Sequence, residues 1–183
     1  MFRLTSVALS GIRDMPTFGS KSRFAVEFSV NESHGGPWLF GRMCFWVSGS
    51  MVGDFELGAS LRDALFQLEH VLRGRQRRNN PSLMPLPAAK VAAMLDDGLF
   101  LGTSPSIQEV AVREEWWRHN VTPPLDVFSG WKIFLVESEV TARLVVQHPN
   151  QSVTECSLDA GEVDRFLAET QMALAELHDS KRE

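Results

Sequence analysis

Hydrophobic and polar positions alternate from Lys21 to Val30, with Phe24, Val26, Phe28 and Val30 on one side and Arg23, Glu27 and Ser29 on the other. A period of two is the signature of a half-buried strand. After the Gly- and Pro-containing connection from Asn31 to Pro37, the run Trp38 to Val47 is aromatic and apolar enough to predict a central strand. Ser48, Gly49 and Ser50 then turn the chain into a third strand, Met51 to Leu57, which completes a meander. The period changes at Ser60. Leu61, Ala64, Leu65, Leu68 and Leu72 share one face of a helix, with Ser60 as N-cap, Asp63 in the first turn and Gly74 as its end.

Arg73, Arg75, Arg77, Arg78, Pro81, Pro85 and Pro87 mark a loop, followed by a short helix over Ala88 to Asp97 that Gly98 stops. From Phe100 to Val121 the pattern supports two readings. Ser104 with Pro105 resembles a helix start, whereas Val110, Val112 and Trp116 to Val121 suit a strand, and a strand near the tryptophans is the expectation. Trp131 to Glu137, Thr141 to Gln147 and Ser152 to Leu158 predict a second meander, its last connection turning through His148, Pro149 and Asn150. Asp159 and Glu162 then form a relative of the capping box ahead of Val163, Phe166, Leu167, Thr170, Leu174 and Leu177 on one helical face. Two meanders, each followed by an amphipathic helix, predict an α+β fold, a mostly antiparallel sheet of about six or seven strands with helices packed on one face.

Length and composition fit one domain over residues 1–183: 44% of residues are hydrophobic and 22% charged, which excludes a disordered or fibrous chain. No apolar run approaches the roughly 20 residues of a membrane span, and Met1 to Asp14 lacks a secretory core and is expected to join the fold. These features suit a cytoplasmic protein. Cys44 and Cys156 lie in predicted strands and are expected to be reduced. The net charge of −5 is unevenly spread. From Ala59 to Lys90 six basic residues meet two acidic ones, and from Val91 onward seven basic meet sixteen acidic. An acidic half of this kind repels nucleic acid and speeds encounter with a basic partner.

Tests for chemistry mostly fail on spacing. Gly19, Ser20, Lys21 and Ser22 lack the order of a phosphate-binding loop, and a strand follows them where a helix is required. The five histidines are scattered, the two cysteines have no close partner, and no G-x-S-x-G elbow is present. No metal, cofactor or catalytic residue is therefore expected. Carboxylate pairs at Asp96 and Asp97, Glu114 and Glu115, and Glu137 and Glu139 leave a small carboxylate-dependent hydrolase or nuclease as an alternative. Glu137 and Glu139 are expected in the solvated turn after their strand. The arginines from Arg73 to Arg78 leave a nucleic-acid-associated regulator as another, although no aromatic residue interleaves with them in sequence and they complement a helix C-terminus. Of Trp116 and Trp117, one is expected in the core and the other exposed among charges, the composition of a binding hot spot.

Four phrases carry a family resemblance: Gly19 to Phe28 (GSKSRFAVEF), Trp38 to Val47 (WLFGRMCFWV), Gly53 to Phe66 (GDFELGASLRDALF) and Gly130 to Glu137 (GWKIFLVE). They resemble successive strands and the first helix of the immunity protein 42 family of bacterial polymorphic-toxin systems. The chain departs from that pattern at Ser20, where an acidic residue is usual, and in the Arg- and Pro-rich passage Gly74 to Pro87. The resemblance implies a cytoplasmic protein that binds a cognate toxin domain and blocks it. With the acidic half in mind, the expected contacts are Glu114, Glu115, Trp116, Asp126, Glu137 and Glu139, facing a basic toxin such as a nuclease.

Overall fold

The computed structural model of the protein describes residues 15–148 and 151–180. Met1 to Asp14, and Pro149 and Asn150 of the expected reversal, lie outside the described residues. The first sheet contains β1 (Thr17–Gly19), β2 (Phe24–Val30), β3 (Phe40–Val47) and β4 (Ser50–Val52) in that spatial order, with the short β5 (Ala59–Ser60) also paired to β3. All pairs are antiparallel, and β2 meets β3 from Phe24↔Val47 to Val30↔Gly41. Ser48 and Gly49 both have positive φ, 50° and 81°, the twist that a two-residue hairpin turn requires. Beyond Val52 the expected third strand ends early: Gly53 turns the chain at φ 101°, and the Asp54 carboxylate accepts from the N–H groups of Glu56 and Leu57 at 3.1 and 3.2 Å. That side-chain bonding competes with strand pairing.

The helix α1 (Leu61–Leu72) begins as expected, the Ser60 hydroxyl accepting from the Asp63 N–H at 3.2 Å. It buries Leu61, Ala64, Leu65, Leu68 and Val71. The second sheet is β6 (Lys132–Glu137), β7 (Thr141–Gln147) and β8 (Thr154–Asp159), again antiparallel. The long α4 (Glu162–Ser180) follows, with the Glu162 carboxylate accepting from the Asp159 N–H at 3.1 Å. It packs on α1, β1 and β2. Thus the strands divide into two sheets, five and three strands, sharing one core.

The expected packing of helices on one face holds for α1 and α4 and needs an addition. Ile133, Leu135, Leu144 and Leu158 face the main core, whereas Phe134, Val136 and Val145 on the opposite face of the second sheet meet α2 (Ala88–Asp96) and α3 (Pro105–Arg113). The second sheet is therefore covered on both faces, and the uninterrupted apolar run from Ile133 to Val136 is the matching sequence pattern. Both cysteines are free and buried, as expected for reduced core residues. Burial, with the nearby Glu27 charge adding to it, pushes the Cys44 thiol up to about 12, which makes it a poor nucleophile. Among the described residues no helix is long and apolar enough to cross a membrane.

The stretch from Phe100 to Val121 contains α3 and a 3-10 turn, Trp116–His119, instead of the expected strand. Ile107, Val110 and Ala111 have helical spacing and pack toward the second core, and Glu115 at φ 53° ends the helix by reversing the chain. The short helix α2 likewise does not stop at Gly98. It widens into a π turn, Asp97–Leu101, closed by the Gly102 N–H on the Asp97 carbonyl at 2.9 Å.

Candidate partner-binding groove

Because α1 buries one face, Asp63, Gln67 and His70 are left in a row at i, i+4 and i+7 on its outer side. A loop from Thr122 to Asp126 runs beside that row. Its path is fixed by backbone bonds: Val121 N–H donates to the Ile133 carbonyl at 2.9 Å, and Asp54 N–H donates to the Val127 carbonyl at 2.7 Å. Gly53 is needed at the second contact, since a Cβ there would lie 2.9 Å from the Phe128 ring. Between helix and loop lie two recesses that meet at Pro124, which lines both.

The larger recess, about 640 Å³, includes Phe40, Leu57, Asp63, Gln67 and Asp126 in its lining. Phe40 is 45% and Leu57 57% exposed, so apolar surface stands beside two carboxylates. The smaller, about 270 Å³, lies between Phe100 and Trp117, with His70, Arg118 and Asn120 in its wall. Phe100 is pushed out by the π turn, whose shape Asp97 secures by accepting from the Thr103 hydroxyl and N–H and the Ser104 N–H at 2.5, 2.8 and 3.1 Å. The Thr103 bonds hold the Asp97 carboxyl below its ordinary range. Each aromatic carries a cation on its face: Lys132 Nζ lies 5.1 Å from the Phe100 ring and the Arg77 guanidinium 6.0 Å from the Trp117 ring. These cations also pair with Asp96 and Glu115 respectively. The groove is thus acidic at one end and aromatic with basic neighbours at the other.

The six expected contact residues fall in three separate places. Asp126 lies in the groove. Glu114 accepts from the Trp116 indole N–H at 3.0 Å and from the Asn80 amide at 3.4 Å; the indole bond chiefly holds its carboxyl below the ordinary range. Glu115 pairs with Arg77 and, at 3.2 Å, with Arg118. Trp116 requires correction. It is 2% exposed and packs in the second core against Gly98 and Ala111, so its neighbour Trp117, 43% exposed, is the aromatic presented to solvent. Glu137 is corrected likewise: expected in a solvated turn, it is 6% exposed and accepts from the Gly161 N–H at 2.8 Å. Glu139 is exposed beside it, in a cleft of about 590 Å³ that Asn79, Asp164 and Arg165 also line.

That cleft brings Glu137 and Asp164 together, yet both Asp164 oxygens and one Glu137 oxygen are already engaged. Arg78 is fully buried and donates from one terminal nitrogen to both Asp164 oxygens at 2.5 Å, while its other groups donate to the carbonyls of Val71 and Arg118 at 2.8 and 2.7 Å. Two arginines of the basic cluster, Arg77 and Arg78, are therefore bound to Glu115 and Asp164. No group of three His, Cys, Asp or Glu side chains is arranged to hold a metal ion among the described residues. Phe40, Leu57, Asp63 and Phe100 are not singled out as contacts by the sequence, and Trp117 only as one of two alternatives; they share no signal other than exposure, which a string of letters does not carry.

The two antiparallel sheets, the shared core and the groove beside α1 define an α+β protein whose fold is also seen in the crystal structure of CdiI from Burkholderia dolosa AUO158. The two agree with a TM-score of 0.66 at 20% identity, over 86% of this chain and 99% of that one. No curated protein matches the sequence. The sequence pattern of the immunity protein 42 family matches residues 15–173, and the chain belongs to that family.

Proposed function

We propose that this protein neutralises a cognate bacterial toxin by binding it stoichiometrically in the cytoplasm, and does so without catalysing a reaction or needing a cofactor. Membership of the immunity protein 42 family over residues 15–173 is the observation that carries this reading. The partner's character follows from charge. A chain of net charge −5, with sixteen acidic residues against seven basic from Val91 onward, favours a basic toxin such as a nuclease, because complementary fields raise the rate of encounter. Asp126, Glu114, Glu115 and Glu139 remain candidates for that encounter, while Trp116 and Glu137 are too buried to meet a partner without rearrangement.

The test is co-expression with the toxin domain encoded beside this gene. Protection of the host cell, and recovery of both chains at one to one by size-exclusion chromatography, are the expected results. Cells that die despite full accumulation of this protein, with no complex recovered, would refute the reading.

A further inference from the structure

Resting on that reading, we infer that the groove beside α1 seats a segment of the toxin in one orientation, a lysine or arginine between Asp63 and Asp126 and an apolar side chain between Phe100 and Trp117. Three observations carry it. First, Phe40, Leu57, Phe100 and Trp117 are between 43% and 57% exposed and line adjoining recesses. Isolated exposed apolar residues need no explanation, but a contiguous set rimmed by charge marks an interaction site. Second, Asp63 and Asp126 have no ion-pair partner among the described residues, whereas Lys132, Arg77 and Arg118 at the other end are paired with Asp96 and Glu115. The acidic end is therefore the unneutralised one. Third, the wall beside these carboxylates is Phe40 and Leu57, and an apolar wall leading to a carboxylate suits a side chain with a methylene stem and a cationic head.

The orientation follows from the same charges. A basic side chain placed at the Trp117 end would meet Arg118, and like charges brought together there disfavour the reversed pose. From Asp63 to His70 the helix advances about 10 Å at roughly 1.5 Å per residue, so the cation and the apolar side chain on the toxin segment are separated by about that distance. Trp117 and its neighbours supply lifetime by excluding water, and the two carboxylates supply rate.

The experiment uses the full chain and a catalytically inactivated form of the neighbouring toxin domain, with association and dissociation followed by biolayer interferometry at low and physiological salt. Asp63→Lys with Asp126→Lys is expected to weaken binding roughly a hundredfold, mostly in association rate, and to flatten its salt dependence. Phe100→Ala with Trp117→Ala is expected to weaken it by a similar roughly hundredfold, in dissociation rate, with salt dependence kept. Glu176→Lys, at an exposed position of α4 outside both recesses, should bind within about threefold of the parent. Thermal melting checks each fold, and Gln67→Arg, which fills the groove from the outer side of α1, gives an independent reading if a truncated variant melts early. If the parent binds and protects while both double variants and Gln67→Arg bind within threefold of it, the groove assignment is overturned and the immunity reading stands. If the parent itself fails to bind or protect, both are overturned.

Discussion

Replacing Arg78 by methionine removes a side chain that joins α1, the Trp116–His119 turn and α4. The guanidinium is fully buried, donates to Asp164 and to two backbone carbonyls, and its carboxylate partner is only 9% exposed. Burial pushes Asp164 above the ordinary carboxylate range and Arg78 below the ordinary guanidinium value, and each charge opposes the other's shift. Arg78→Met keeps much of the volume but leaves Asp164 without its cation. Breaking a buried pair from one side costs about 3–5 kcal/mol. For a chain of this size each kcal/mol lowers the melting temperature by about 2–4 °C, so a fall of roughly 6–20 °C is expected. Urea unfolding followed by circular dichroism and tryptophan fluorescence measures the free energy directly. The double variant Arg78→Met with Asp164→Leu removes both charges, and it should recover at least about 2 kcal/mol of the summed single losses. A single variant within about 1 kcal/mol of the parent, or strictly additive singles, would show that the pair does not join these elements as described.

His119 offers a pH-dependent counterpart. It is fully buried, its Nδ1 lies 2.9 Å from the Leu135 carbonyl, and burial pushes it down to about 4. The folded state therefore holds the neutral ring. Its contribution to stability is complete above the unfolded value near 6.5 and is lost as pH falls through about 4, a total of about 3 kcal/mol; His119→Gln should flatten the urea-unfolding profile in that window, and an unchanged slope would refute the assignment. At Gly41 a Cβ would lie 2.1 Å from the Ser29 carbonyl oxygen and 2.6 Å from Leu61 Cδ1. Gly41→Ala should cost about 1–3 kcal/mol in the same assay, since a backbone atom must move.

Legibility followed the physical source of each signal. Strand β2 and the apolar stripe of α1 were readable because an element with one buried face repeats its burial in its letters. The alternation of β2 was nevertheless incomplete: Glu27, expected outward, is 3% exposed and is satisfied by Lys21 at 2.6 Å and the Trp46 indole at 2.5 Å. Around Val110 and Val112 the β-branched residues favoured a strand, and packing of Ile107, Val110 and Ala111 against the second core overrode that preference. Of Trp116 and Trp117, one indole is expected in the core and one outside, but the expected contact, Trp116, is the buried one; Glu115 in the left-handed region sets which side chain points inward. The groove itself was not readable. Asp63 signals helix capping equally well in either setting, and its juxtaposition with Asp126 joins elements more than sixty residues apart in sequence.

Arg143, on β7, donates to the carbonyl oxygens of Leu83, Met84 and Leu86, and pairs with Glu155 at 2.6 Å. On the loop side these bonds engage only main-chain oxygens, and every amino acid supplies one. The exposed side chains around Leu83, Met84 and Leu86 can therefore change while this clasp to the second sheet survives. Substitution is tolerated at the exposed positions there and costly at the buried Arg78 and Leu83 and at Arg143. Arg143 thus anchors that turn to the second sheet without reading which side chains its exposed positions carry.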